Sequence, residues 1–137
     1  MYAGCPILWG SKLQTLIALS CTEADYYCLS SALRETIPVM ELAKEMKCLG
    51  FYIGSTQPRI HCKVFEDNSG ALEIATVHKV RPRTKHMNVQ FHHFRHYVNT
   101  GEISIYPIDT EEQPADMLSK SVSLNKLTKH RRFIMGW

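Results

Sequence analysis

The chain has 137 residues, of which 45% are apolar and 21% charged, and a formal net charge of +3. That length suits one domain with a real core, and that balance excludes a disordered chain. No apolar run reaches membrane-spanning length, and the opening MYAGCPILWGSK lacks the basic-then-apolar order of a signal peptide, so neither a membrane protein nor a secreted one is expected.

In chain order, PILWGSK, bounded by Pro6 and Gly10, reads as a short strand, and LQTLIALS has no decisive period. From Ser20 the pattern is helical. Ser20 with Glu23 three positions on forms a capping box, with Thr22 as a competing cap, and the helix runs to about Glu35. Pro38 suits the first turn of a second helix, VMELAKEMKCLG, which stops at Gly50. FYIGSTQPR is a loop, IHCKVFE a strand and SGALEIA a short helix. VHKVRPRTKH is a basic connector in which Arg81-Pro82 disfavours helix. MNVQFHHFRHYVN has Val89, Phe94, Tyr97 and Val98 at roughly helical spacing and ends at Gly101. EISIYPID alternates as a strand; EQPADMLSK and SLNKLTKHRRF begin two more helices. Strands and helices alternate without an internal repeat. That order predicts a single α/β domain over residues 1–137, built on a mixed sheet flanked by helices.

The cysteines Cys5, Cys21, Cys28, Cys48 and Cys62 form no C-x-x-C pair, and an odd, scattered set reads as reduced thiols inside a cell. His92 and His96 have the i, i+4 spacing of metal ligands but no partners that would complete a zinc site. Charge is unevenly spread. From Ile74 to Gly101 there is no Asp or Glu, while Lys79, Arg81, Arg83, Lys85 and Arg95 fall in that stretch among several histidines. A segment of one sign in a nearly balanced chain is a candidate polyanion-facing surface; the plain alternative is a solvated basic loop.

Three acids stand out by position. Glu23 lies in the first turn of a long helix, Asp67 at the end of a strand and Asp116 in the first turn of a late helix. Acids are favoured at helix starts for electrostatic reasons alone. Open α/β sheets also gather their sites where strand ends meet helix starts, and carboxylates converging there would hold hard divalent cations.

The stretches ALSCTEADYYCLSSALRE, VFEDNSGALEIA, RPRTKHMNVQFHHFR and PIDTEEQPADMLSK follow one another in an order that resembles the ribonuclease H domain at the C-terminal end of copia-type long-terminal-repeat retrotransposon polyproteins. The match covers essentially the whole chain, and TEADY differs from the family's usual TEAEY by one conservative change. The resemblance implies a ribonuclease H-like fold and a metal-dependent endonuclease that cuts the RNA strand of RNA–DNA hybrids during reverse transcription. On this resemblance Glu23, Asp67 and Asp116 look like metal ligands and catalytic carboxylates. The metal is Mg²⁺, with Mn²⁺ as substitute. One ion orients and activates water and the other stabilises the leaving oxygen. Lys79, Arg81, Arg83, Lys85, His86 and Arg95 would hold the hybrid, although His86 has no assigned chemistry. The implied partners are the RNA–DNA hybrid and the reverse transcriptase portion of the same polyprotein, in a cytoplasmic retrotransposon particle or the nucleus.

One departure qualifies that picture. The family's site has four carboxylates, the first from an Asp on an opening strand, whereas the first acid in this sequence is Glu23. The chain therefore reads as a partial domain lacking the first strands. The alternative is a non-catalytic retrotransposon-derived remnant that binds nucleic acid or a partner.

Overall fold

The computed structural model of the chain describes residues 5–51, 60–77 and 92–136. These fall into two compact units, one of residues 16–107 and one of residues 5–15 with 108–136. The expected FYIGSTQPR loop lies almost wholly outside the described residues, as do most of the basic connector and the beginning of the MNVQFHHFRHYVN helix.

The larger unit is built on α1, Cys21–Cys48. Ser20 caps it as the sequence predicts: its hydroxyl accepts from the Glu23 N–H at 3.2 Å. The reciprocal bond of the capping box is displaced by one residue, because Glu23 Oε2 accepts from the Leu19 N–H at 2.9 Å. The expected break before Pro38 does not occur, and one helix runs through it. Proline inside a helix forfeits a backbone bond and costs about 3 kcal/mol. Here Leu33, Ile37 and Met40 continue one buried stripe past the exposed proline, and each such side chain recovers about 1.5–3 kcal/mol by burial. Gly50, with φ +86°, closes the helix: its N–H reaches the Lys47 carbonyl while the Phe51 N–H reaches that of Met46.

β1, Cys62–Glu66, runs directly into α2, Ser69–Thr76, and the short α3, Arg95–Asn99, precedes β2, Ile103–Pro107. β1 and β2 pair in parallel, from Cys62 opposite Ile103 to Glu66 opposite Pro107. A parallel pair needs a crossover, and the chain between these strands supplies it through α2 and α3. The core of this unit is one cluster holding Tyr26, Leu29, Leu33, Ile37 and Met40 of α1, Ala71 and Ala75 of α2, Phe94, and Ile103 of β2. Gly70 lets α2 approach α1, since a Cβ there would stand 2.9 Å from Thr22 Cγ2 and Oγ1.

The fold class is α/β, and among the described residues the sheet is the parallel pair of β1 and β2. PILWGSK forms no extended strand; Ile7, Leu8 and Trp9 are exposed, and Pro6 has no N–H to give a neighbour. In the smaller unit a 3₁₀ turn at Thr110–Glu112 leads to α4, Asp116–Ser119, and α5, Leu124–Met135, capped by the Ser123 hydroxyl. All five cysteines are free thiols. No helix among the described residues is long and apolar enough to cross a membrane.

Candidate functional site

The end of β1 brings acids together through one asparagine. Asn68 caps α2, its Oδ1 accepting from the Gly70 and Ala71 N–H groups at 3.0 and 3.2 Å. Its Nδ2 donates to Asp25 Oδ2 of α1 at 2.7 Å, and its backbone N–H donates to Glu66 Oε1 at 3.1 Å. Thr22 Oγ1 also reaches Asn68 Oδ1, at 3.4 Å. One residue, through its side chain and its backbone N–H, thus ties the helix start, the strand end and α1 together. Glu66 is buried, and burial pushes its carboxyl up to about 7. The Asn68 N–H opposes that rise, while the charges of Asp25 and Asp67 add to it. The same neighbourhood reaches Cys28, whose thiol is raised by burial and by the charges of Asp25 and Glu66.

Of the sequence-predicted acids, Asp67 lies at this strand end, half-buried. Glu23 is 5% exposed and turned to its own helix: Oε2 takes the Leu19 N–H, and Oε1 accepts the Tyr27 hydroxyl proton. Burial and the Glu23 carboxylate together push that phenol up to about 12. Asp25, which the sequence reading passed over, is the α1 acid bonded to Asn68. The signal for it was available in the helical period. Residues two apart are about 200° apart around a helix, so Glu23 and Asp25 serve different faces.

Asp116 lies in the smaller unit, in the first turn of α4. Lys120 Nζ stands 2.8 Å from its Oδ1 and Lys126 Nζ 3.3 Å from its Oδ2. Lys126 also donates to the Thr110 carbonyl at 2.8 Å and stands 3.8 Å from Glu111. Burial alone would raise the Asp116 carboxyl; the two lysines outweigh it and hold the group below its usual range.

Lys79, Arg81, Arg83, Lys85 and His86 lie outside the described residues. Arg95 is described, and its Nη2 donates to the Ile74 carbonyl at 2.7 Å. Its neighbour His92 meets the Tyr26 hydroxyl through Nδ1 at 2.6 Å.

Metal chemistry can be tested against these donors. Among the described residues no group of three His, Cys, Asp or Glu is arranged to hold an ion. Mg²⁺, however, keeps most of its waters and needs only one or two protein carboxylates. Asp25 and Asp67, hard oxygen donors flanking Glu66, meet that smaller demand. Glu23, with both oxygens in hydrogen bonds, and Asp116, with both on lysines, meet it less readily.

Comparison with known proteins gives the context. The chain is similar to the retrovirus-related Pol polyprotein from transposon TNT 1-94 of Nicotiana tabacum, 34% identical over 125 residues that make up 91% of this chain and 9% of that polyprotein. The retrovirus-related Pol polyproteins from transposons RE2 and RE1 of Arabidopsis thaliana are 32% and 31% identical over 118 residues, 86% of this chain and 8% of each polyprotein. The chain thus spans about a tenth of the length of the curated relatives it matches. No family model matches it, and no solved structure does.

Proposed function

We propose, with homology to retrovirus-related Pol polyproteins of plant transposons as the premise, that this chain is the ribonuclease H-like endonuclease segment of such a polyprotein. It takes RNA–DNA hybrids formed by the reverse transcriptase portion and acts on their RNA strand. The observation that carries this reading is the junction at Asn68, where Asp25, Glu66 and Asp67 come to one strand end beside a helix start. Asp25 and Asp67 are the carboxylates we assign to a Mg²⁺ or Mn²⁺ ion. Such an ion, when bound, activates water and offsets the charge of the phosphate under attack. Glu66 lies between Asp25 and Asp67, its carboxyl raised to about 7 by burial and by the charges of both. Lys79, Arg81, Arg83 and Lys85, with His86, supply cations for the phosphate backbone, and the 2′-hydroxyl marks the RNA strand.

Metal binding is the direct measurement of this assignment. Titration of the purified chain with Mn²⁺, followed by water-proton relaxation, should show an ion whose affinity drops in Asp67→Asn and in Asp25→Asn but not in Glu23→Gln. Equal binding by all variants overturns the metal assignment. A second reading, a nucleic-acid-binding remnant without catalysis, is favoured by one observation, the lysine pair on Asp116. Retained hybrid binding without any Mn²⁺ site would select it.

A further inference from the structure

The β1–β2 sheet has two faces, and they differ in what they carry. Strand side chains alternate, so Cys62 and Val64 of β1 share one face with Ile103 and Ile105 of β2, and that face packs on the core cluster. Lys63 and Phe65, with their register partners Ser104 and Tyr106, belong to the other. Parallel strands are ordinarily covered on both faces. Here Phe65 is 50% and Tyr106 41% exposed. Their rings are neighbours, with centroids 6.0 Å apart and planes 34° apart.

The chemistry of this outer face narrows what fits on it. Two aromatic rings offer flat π surfaces, which an aliphatic patch does not. Lys63 is exposed, lies two residues before Phe65 on the same face, and has no acidic partner among the described residues. A free ammonium beside two half-exposed rings suits a ligand that carries negative charge and flat apolar faces by turns. A nucleic-acid strand is built that way, with bases to stack and phosphates between them. A duplex is a poor match, because its bases cover one another at a rise of about 3.4 Å per nucleotide. Rings 6.0 Å apart seat successive bases only from a strand whose own stack has opened.

We propose that Phe65 and Tyr106 form a stacking platform for two bases of single-stranded DNA, with Lys63 on the adjoining phosphate. The choice of DNA rests on the reading above, in which removal of the RNA strand from a hybrid leaves its DNA partner single. The platform itself does not use the acids at the Asn68 junction. Phe65 and Glu66 are successive strand residues, and their side chains leave the sheet on opposite faces.

The test titrates the full chain into two labelled strands of equal length, followed by fluorescence anisotropy. One is an oligothymidylate of about 10 nucleotides, the other the same backbone without bases. Both carry the phosphates, so only stacking separates them. Each stacked base should favour the base-bearing strand by about five- to a hundredfold. Phe65→Leu and Tyr106→Leu keep apolar bulk and lose the π face, and each should reduce that preference by about fivefold or more. Tyr106→Phe keeps the ring and should stay within about twofold of wild type. Lys63→Gln should weaken both strands alike and flatten the slope of log affinity against log salt by about 0.7. Equal wild-type affinity for the two strands overturns the proposal and leaves the aromatic pair to a protein partner. A preference that survives both leucine variants overturns it too, as does its loss in Tyr106→Phe, which would move the contact from ring to hydroxyl. Should Phe65→Leu fail to fold, Tyr106→Leu decides alone. Tighter binding of an RNA strand of the same length overturns the assignment to DNA. Phe65→Leu should leave Mn²⁺ binding unchanged. A chain that binds Mn²⁺ but treats both strands alike therefore loses this proposal and keeps the metal assignment.

Discussion

Glu66 at the end of β1 and Asp116 at the start of α4 are buried to nearly the same degree, 8% and 6% exposed, yet their surroundings treat charge in opposite ways. Around Glu66 the neighbouring charges are negative, Asp25 and Asp67, and its carboxyl rises to about 7. Around Asp116 the neighbours are Lys120 and Lys126, and its carboxyl falls. Burial pushes both groups upward, so burial does not decide the difference. The sign of the neighbours does. A buried acid already satisfied by ammonium groups is anchored structure. A buried acid among acids leaves negative potential uncompensated among the described residues, and that is where an added cation would gain most.

The comparison breaks most sharply at Lys126, whose side chain is 12% exposed against an Asp116 side chain at 8%. Removing one partner of a buried pair strands the other and costs about 3–5 kcal/mol. With Lys120 remaining, Lys126→Met should cost about 2–4 kcal/mol in urea unfolding near neutral pH. The sign with pH follows from the lowered carboxyl. Stability from Asp116 is present above the ordinary Asp pKa and is lost as pH falls through the folded value, so the wild-type advantage over Lys126→Met should shrink in acid. A variant equally costly at pH 3 and pH 7 would remove the ion pair from the explanation.

The opposite region should respond with the opposite sign. A carboxyl raised to about 7 takes up its proton more readily folded than unfolded, so its contribution is favourable in mild acid and declines as pH rises from the ordinary Glu range through about 7. Glu66→Gln removes that decline. It should stabilise the chain by about 1–3 kcal/mol at pH 8 and change it little at pH 4. No gain at pH 8 would mean that Glu66 is ionised without strain and that the end of β1 is not electrostatically frustrated.

Local rules found much of this arrangement and missed its pairings. The Ser20 cap, the turn into α2, the Gly50 stop and the strand at Cys62–Glu66 were legible because each rests on a few neighbouring residues. Pro38 was misread as a helix start because proline is welcome at a first turn, while a stripe buried on both sides of it carries the helix through. PILWGSK looked like a strand, but an apolar run needs a partner edge, which sequence pattern does not supply. Among the acids, Asp67 was singled out from its place at a strand end, and it does follow β1 directly. TEADY holds both Glu23 and Asp25, and only the three-dimensional structure shows that Asp25 is the one bonded to Asn68. Lys126 gave no local sign at all, since its partners Asp116 and Thr110 are brought to it by the turn before α5.

The smallest effect sharpens the comparison from within one ion pair. Lys120 meets Asp116 at 2.8 Å, closer than Lys126 does at 3.3 Å, and distance alone would make it the stronger partner. Its side chain, however, is 60% exposed, against 12% for Lys126. Water competes for an exposed ammonium, and holding a long side chain in one rotamer costs entropy, so pairs of this kind are worth about 0–1 kcal/mol. Lys120→Met should therefore cost less than about 1 kcal/mol, and about 0.15 M salt should erase part of that, while the Lys126→Met deficit should persist in the same salt. The measurement is a pair of urea melts for each variant, at low and at physiological ionic strength. If Lys120→Met proves the costlier change, then contact distance rather than exposure sets the strength of the Asp116 anchor. The contrast with Glu66 would then rest on one exposed side chain that an incoming cation could displace at little cost.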